Sequence, residues 1–167
     1  VPGPVAGINA LILSGLDTSR FAFEGFLSVN KRSRKEHLDL VKNDTHTLIF
    51  YEAPHKLKAT LADMSDAFGA ERRIALVREL TKLHEEVLRM SLGEAVQYYE
   101  ENNPRGEYVL VVEGKSLQEF KKEQEADWQA TSIEDHMAMY EAKGIDHKEA
   151  MKLVAKDRGI SKRDVYQ

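Results

Sequence analysis

Two stretches of the chain follow one pattern, a short apolar run that stops abruptly on charged residues. Thr47-Leu48-Ile49-Phe50-Tyr51 is β-branched and aromatic, reads as a buried strand, and is broken at once by Glu52-Ala53-Pro54-His55. Pro54 suits the first turn of a helix, and Leu57, Leu61, Met64 and Phe68 then recur at helical spacing until Gly69 supplies a stop. Ile74-Ala75-Leu76-Val77 is the second apolar run, ending on Arg78-Glu79 and followed by Leu80-Thr81-Lys82-Leu83-His84-Glu85-Glu86. Both predicted strands deliver polar residues at their carboxyl ends, the edge where open α/β sheets bind ligands.

The other elements follow from the same reading. Pro2-Gly3-Pro4 predicts a loop feeding a helix through Ala10-Leu11-Ile12-Leu13, terminated by Gly15. Arg20 to Leu27 alternates as a strand with one aromatic face, and Leu38 with Val41 predicts a short amphipathic helix. Glu86-Val87-Leu88-Arg89-Met90 reads as a strand, and Ser91 with Glu94 is a capping-box signature for a helix carrying Leu92, Val96 and Tyr99. The turn Asn102-Asn103-Pro104-Arg105-Gly106 leads into the most apolar strand, Tyr108 to Val112. The sum is an α/β domain over residues 1–114, with a mixed sheet of about five strands flanked by about four helices.

Residues 115–130 are charged and weakly patterned, with Trp128 the large apolar group near their end, and are expected to form a linker open to helix formation. Residues 131–167 predict a small helical tail resembling a helix-turn-helix module. There Thr131 with Glu134 caps a helix bearing Ile133, Met137 and Tyr140 that Gly144 stops. Asp146 with Glu149 caps a second that Gly159 stops, and Ser161 opens a third that runs out at Gln167.

The chain has 167 residues, 42% hydrophobic and 31% charged, enough for one core and a small appendage. The absence of cysteine removes disulfides, thiolate nucleophiles and cysteine zinc sites. No apolar stretch approaches the roughly 20 residues of a membrane helix and no signal peptide is visible, so a soluble, cytoplasmic protein is expected. A formal charge of −4 disfavours a surface that clamps nucleic acid throughout and leaves local patches for any RNA contact. Lys31-Arg32-Ser33-Arg34-Lys35 places four cations in five residues, either a solvated loop or a phosphate contact. From Lys143 to Asp164 there are seven Lys or Arg against four acids, and Lys148, Lys152 and Lys156 form one stripe along a helix face, either solvated or RNA-facing. The start at Val1, without an initiator methionine, suggests part of a longer protein.

Three blocks, Leu48-Ile49-Phe50-Tyr51-Glu52-Ala53-Pro54-His55, Arg78-Glu79-Leu80-Thr81-Lys82-Leu83-His84-Glu85-Glu86 and Gly106-Glu107-Tyr108-Val109-Leu110-Val111-Val112-Glu113-Gly114, resemble signature motifs of one group. That group is the bacterial small-subunit ribosomal RNA 2'-O-ribose (cytidine) methyltransferases, a branch of the tetrapyrrole-methylase family. The resemblance covers roughly residues 1–114, with a related tail at 132–167. It implies the carboxy-terminal domain of the tetrapyrrole-methylase fold, S-adenosyl-L-methionine as cofactor, ribosomal RNA and the small ribosomal subunit as partners, and a homodimer. It also implies a separate amino-terminal domain that supplies the glycine-rich part of the cofactor site.

By this resemblance Pro4, Val5, Ala6, Tyr51, Glu52, Arg78, Gly106, Glu107 and Tyr108 line the cofactor pocket. Val5 stands where the family usually has serine, so any contact there is backbone or apolar. Methyl transfer is an in-line displacement that needs positioning and exclusion of water. A ribose hydroxyl also gains from a proton acceptor, for which Glu79 is the candidate, with Lys82 steadying charge or gripping a phosphate. Arg78-Glu79 is alternatively a structural ion pair, and Gly106 alternatively a plain turn glycine. Lys31, Arg32, Arg34, Lys35, Lys148, Lys152 and Lys156 are the RNA-contact candidates. His55 and His84 lack the pairing of a metal site, and no metal is expected. A tetrapyrrole methylase and a non-catalytic binding or dimerisation module stand as alternatives.

Overall fold

A computed structural model describes residues 3–165, so the loop position Pro2 and the last two positions expected in the terminal helix, Tyr166 and Gln167, lie outside the described residues. The chain divides into two compact units, one up to Lys115 and one from Ser116.

The first unit has α1 (Ala6–Ser14), β1 (Phe21–Phe26), α2 (Lys31–Val41), β2 (Thr47–Glu52), α3 (Pro54–Phe68), β3 (Arg73–Arg78), β4 (Glu86–Ser91), α4 (Leu92–Glu101) and β5 (Tyr108–Val112). Its five strands form one sheet in the order β1-β2-β5-β3-β4. β1 and β2 are parallel, while β5 runs antiparallel to both β2 and β3, and β4 antiparallel to β3, so the sheet is mixed. The apolar runs are continuous because both sheet faces are covered. Leu48, Phe50, Leu76 and Leu110 face one cluster with Leu38, Leu57, Leu61 and Met64. Ile49, Ala75, Val77, Val109 and Val111 face the other, with Ala10 and Leu11 of α1. Each fully buried leucine, isoleucine or phenylalanine contributes about 1.5–3 kcal/mol over its exposed state.

Local signals set the ends of these elements. Pro54 begins α3, Gly69 at φ 92 ends it, and the Ser91–Glu94 capping box starts α4 with both reciprocal hydrogen bonds present. The basic run is not a loop but the opening of α2, because the Asn30 side chain accepts from the Ser33 N–H as N-cap and Arg34 turns inward.

The second unit holds α5 (Leu117–Ala130), α6 (Ile133–Ala142), α7 (His147–Arg158) and α8 (Lys162–Val165). The stretch expected as a linker contains a 14-residue helix opened by a Ser116–Glu119 capping box. Its Trp128 stacks on His136 of α6 at 3.8 Å between ring centroids and 10° between planes. The cap of α6 is Ser132, which accepts from the Asp135 N–H, while Thr131 closes α5, one position from the predicted cap. Asp146 caps α7, and Gly159, at φ 63, ends it.

Candidate ligand rim

Strand directions decide where the predicted residues meet. Since β2 and β3 both run against β5, the carboxyl ends of β2 and β3 lie beside the start of β5. In register, Phe26 stands beside Tyr51, Glu52 beside Tyr108, Tyr108 beside Arg78, and Arg78 beside Glu86. Residues from all five strands therefore share one rim. The amino end of α1 joins it, because the Gly7 N–H donates to the Tyr51 hydroxyl at 3.1 Å, which brings the adjoining Pro4, Val5 and Ala6 to the same edge. Val5 is the N-cap of α1 and provides no side-chain cap, as its missing hydroxyl requires.

One wall of the rim is aromatic. A register shift between Phe23 and Gly25, with Gly25 at φ 69, inserts a bulge in β1. The bulge sets Phe26 beside Tyr51, on the face that Phe23 shares with Ile49. Phe23 and Phe26 meet the Tyr51 ring edge-on, with centroids at 5.1 and 5.6 Å. Phe26 remains 63% exposed, and the Lys56 ammonium stands 5.8 Å from its centroid. Sequence reasoning passed over Phe26 and Lys56; the signal available was a glycine inside a strand pattern.

Not every rim residue turns its side chain the same way. The Glu52 carboxylate is buried and spent on the Thr60 hydroxyl at 2.7 Å, the Ala53 N–H at 2.9 Å and the Lys56 ammonium at 3.1 Å, so it anchors the start of α3. The Tyr108 side chain is buried too, its hydroxyl accepting from the Tyr99 hydroxyl and the Arg105 N–H. Burial and that tyrosine pair push the Tyr99 phenol up. Arg78 differs: its Nε lies 3.3 Å from Glu86 Oε2 but is buried without a well-aligned hydrogen bond.

Glu79 and Lys82 belong to a loop, residues 79–85, that leaves the rim after β3. The Glu79 N–H donates to the Glu107 carbonyl at 3.0 Å, and the Glu107 N–H donates back to Glu79 Oε1 at 2.8 Å. The Lys82 ammonium joins Glu79 at 3.1 Å and Glu107 at 3.0 Å. Gly106 sits at φ 75, a conformation that favours glycine, and a Cβ there would also meet the Glu79 side chain, 2.5 Å from its Cγ. The Glu107 N–H, then the Lys82 ammonium, hold the Glu79 carboxyl below its ordinary value, and the two carboxylates hold Lys82 above its own. A carboxylate stabilised in this way is a weaker base than a free one.

The backbone of this loop is strained. Glu79 at φ 49 and Thr81 at φ 66 are non-glycine residues in the left-handed region, which costs about 1–2 kcal/mol each. The ion pairs of Lys82 that oppose this strain are exposed and screened by water.

Of the expected RNA contacts, Arg34 is not available: it is buried against Asp63 at 2.7 Å and donates to the Ser28 and Val29 carbonyls. Lys31, Arg32 and Lys35 are exposed on α2, with Arg32 paired to Glu36. In the second unit Lys148, Lys152 and Lys156 are exposed on α7, with Lys152 paired to Glu149. His55 and His84 are exposed, and among the described residues no group of His, Asp and Glu is arranged to hold a metal. No helix among them is long and apolar enough to cross a membrane. A cleft of about 270 Å³ opens at the other end of the sheet beside Ser14, Arg73, Arg89 and Glu94. None of the predicted site residues lines it, and Arg89 there donates twice to the Leu13 carbonyl.

Comparison with known proteins gives this rim a context. The family model for Tetrapyrrole (Corrin/Porphyrin) Methylases matches residues 1–96, more than half of the chain. The chain belongs to the tetrapyrrole methylase family. Relatives from Bacillus subtilis and Halalkalibacterium halodurans, each named ribosomal RNA small subunit methyltransferase I, are 42% and 46% identical over 166 residues, covering 99% of this chain and 56% of theirs. A Synechocystis protein of the same name is 40% identical over 100% of this chain and 58% of its own. The chain thus spans a little over half the length of these relatives. Two solved methylase structures share the fold. The methyltransferase CobJ has a TM-score of 0.53 at 18% identity, over 68% of this chain and 49% of that one. The cobalt precorrin-4 methyltransferase CbiF has a TM-score of 0.52 at 14% identity, over 68% and 50%.

Proposed function

We propose that this methylase-family chain forms part of an S-adenosyl-L-methionine-dependent enzyme that methylates the 2'-hydroxyl of a cytidine ribose in small-subunit ribosomal RNA. The observation that carries the reading is the convergence of the three signature blocks on one rim, in a chain whose relatives at 40–46% identity are named ribosomal RNA small subunit methyltransferase I.

The rim suits the cofactor chemically. Phe26 and Tyr51 give an apolar wall, Arg78 gives a guanidinium whose buried Nε lacks a hydrogen bond, and the opening turn of α1 carries no side-chain cap. These are partners for a ligand with a flat apolar part and a carboxylate. Pro4, Val5, Ala6, Tyr51, Arg78, Gly106 and Glu107 would hold it, with Glu52 and Tyr108 fixing the strand ends from inside. When bound, it supplies a methyl group on a sulfonium. The protein's part is to align the ribose oxygen with that carbon and to exclude water. In this reading Glu79 and Lys82 act by shaping the rim.

RNA would be met by exposed cations on each unit: Lys31, Arg32 and Lys35 on α2, and Lys148, Lys152 and Lys156 on α7. Cations in the first turns of α2 oppose its helix dipole, an arrangement that works against stability and favours an anion nearby. The whole protein is read as a cytoplasmic homodimer with a further domain completing the pocket. Primer extension on ribosomal RNA from cells lacking the gene tests the assignment: a lost 2'-O-methyl stop is expected, and unaltered methylation overturns it. The family's other chemistry is the rival outcome, in which purified full-length protein methylates a tetrapyrrole and leaves 30S subunits unmodified.

A further inference from the structure

The loop from Glu79 to Glu85 has features that a passive connection does not need. Its root is fixed, since Leu80 packs against the cluster under α1. Beyond the root it has no apolar anchor: residues 81–85 are exposed, and Leu83, at 94%, is held out in solvent. What closes the loop onto the rim is polar. The Glu79 carboxylate and backbone pair with Glu107, and the Lys82 ammonium sits between the Glu79 and Glu107 carboxylates. Within the loop, the Thr81 N–H donates to Glu85 at 2.7 Å, and the Lys82 and Glu85 N–H groups donate to the Glu79 and Lys82 carbonyls. Two non-glycine residues in the left-handed region oppose these contacts. The bridging cation is the one member of the latch that an incoming anion can take.

We propose that residues 79–85 form a strap latched at the ligand rim by Lys82, released when a phosphate anion draws the Lys82 ammonium away from Glu79 and Glu107. Release lets the two strained residues relax and loosens the Glu79 side chain, which stands against the turn at Gly106 and accepts from the Glu107 N–H. The strap then couples arrival of a phosphate-bearing substrate to movement of two rim segments, the carboxyl end of β3 and the entry to β5. The identity of the anion as RNA phosphate rests on the function proposed above; the latch itself rests on the geometry.

Amide hydrogen exchange on the 167-residue chain, followed by mass spectrometry, tests both parts. Lys82→Met is expected to speed exchange of residues 79–85 at least tenfold, with residues 108–112 unchanged as the check on folding. Glu107→Gln, which weakens one arm of the latch, is expected to give a smaller rise. In the wild-type chain a cytidine-containing RNA 12-mer, added at constant ionic strength, is expected to produce the same rise as Lys82→Met. Inorganic phosphate should do so only at much higher concentration; an equal response to both assigns the trigger to free phosphate. Exchange in Lys82→Met within twofold of wild type overturns the latch. Bound RNA that leaves residues 79–85 unchanged, or protects them, overturns the trigger. Failure of the 12-mer to bind at all, read by fluorescence anisotropy, counts against the RNA function, while the Lys82→Met measurement still decides the latch.

Discussion

The two units of this chain are closed in different ways. The first wraps helices around both faces of a five-stranded sheet and buries two apolar clusters, with Leu38, Phe50, Leu57, Leu61, Leu76 and Leu110 fully out of solvent. Among its described residues the second has a smaller buried apolar cluster, Met137, Ala150 and Val154, with Ile133, Tyr140, Ile145, Met151 and Val165 partly buried against it. Its centre is polar: His136, with no exposed surface, stacks on Trp128 and accepts from Arg158 Nε at 3.2 Å. Arg158 also donates to the Thr131 and Ser132 carbonyls, and the Tyr140 hydroxyl donates to Asp157. A small helical unit has too little apolar surface to rely on area alone, so directional contacts make up the difference. The lesson is that the first unit should be sensitive chiefly to lost volume, and the second to lost hydrogen bonds and to pH.

The sharpest way to break this contrast is in the large core. Leu110→Ala is expected to cost about 2–5 kcal/mol, read as a lower urea midpoint for loss of the sheet signal in circular dichroism. A cost below 1 kcal/mol would mean that the apolar clusters are not what holds the first unit. Next in size is Arg158→Ala, which strips hydrogen bonds from His136 and two carbonyls and is expected to cost about 2–3 kcal/mol. Trp128 is the single tryptophan, so its fluorescence reports this transition in the second unit directly. Arg158→Lys should not restore it, because one ammonium cannot serve the ring nitrogen and both carbonyls as the guanidinium does.

The pH dependence comes third. Burial, then the Arg158 guanidinium, lower the His136 value from 6.5, with the Asp157 carboxylate opposing them. The unfolded chain therefore takes up its proton first as pH falls through about 6.5, and stability of the second unit declines below that pH. The Trp128 transition should shift to lower urea between pH 7 and pH 5.5, and His136→Gln should flatten that shift; an unchanged slope would remove His136 as its cause. In the first unit, Glu79 is held below its ordinary 4.5, so the stability it contributes is lost only as pH falls below that value. The smallest effect is at the surface. Lys148→Ala and Lys156→Ala are expected to change stability by less than about 0.5 kcal/mol. Each should also reduce the salt dependence of RNA binding by about one unit of slope. A drop in stability without a change in slope would show that these lysines serve the fold instead.

Legibility followed the range of the forces involved. β5 at Tyr108–Val112 and the start of α4 at Ser91 were readable because an apolar run and a capping box are local signals. The basic run was misread as a loop because the two facts that make it helical, the Asn30 cap and the Arg34–Asp63 ion pair, join residues that composition alone does not connect. Residues 115–130 looked weakly patterned because the partner of Trp128 is a histidine on the next helix, a contact that hydrophobic periodicity does not register.

Local pattern marked the strands, most of the helices with their stops, and the gathering of acidic, basic and glycine residues at strand ends, since these depend on neighbours a few positions away; the basic opening of α2 and the helix α5 escaped it. What those residues do was settled by packing between distant segments. It turned Glu52 and Tyr108 inward, left Phe26 and Arg78 at the rim, and brought Glu79 against Gly106. The physical reason is that the role of a side chain depends on which groups share its space, and that is fixed by strand order and register across segments far apart in the chain.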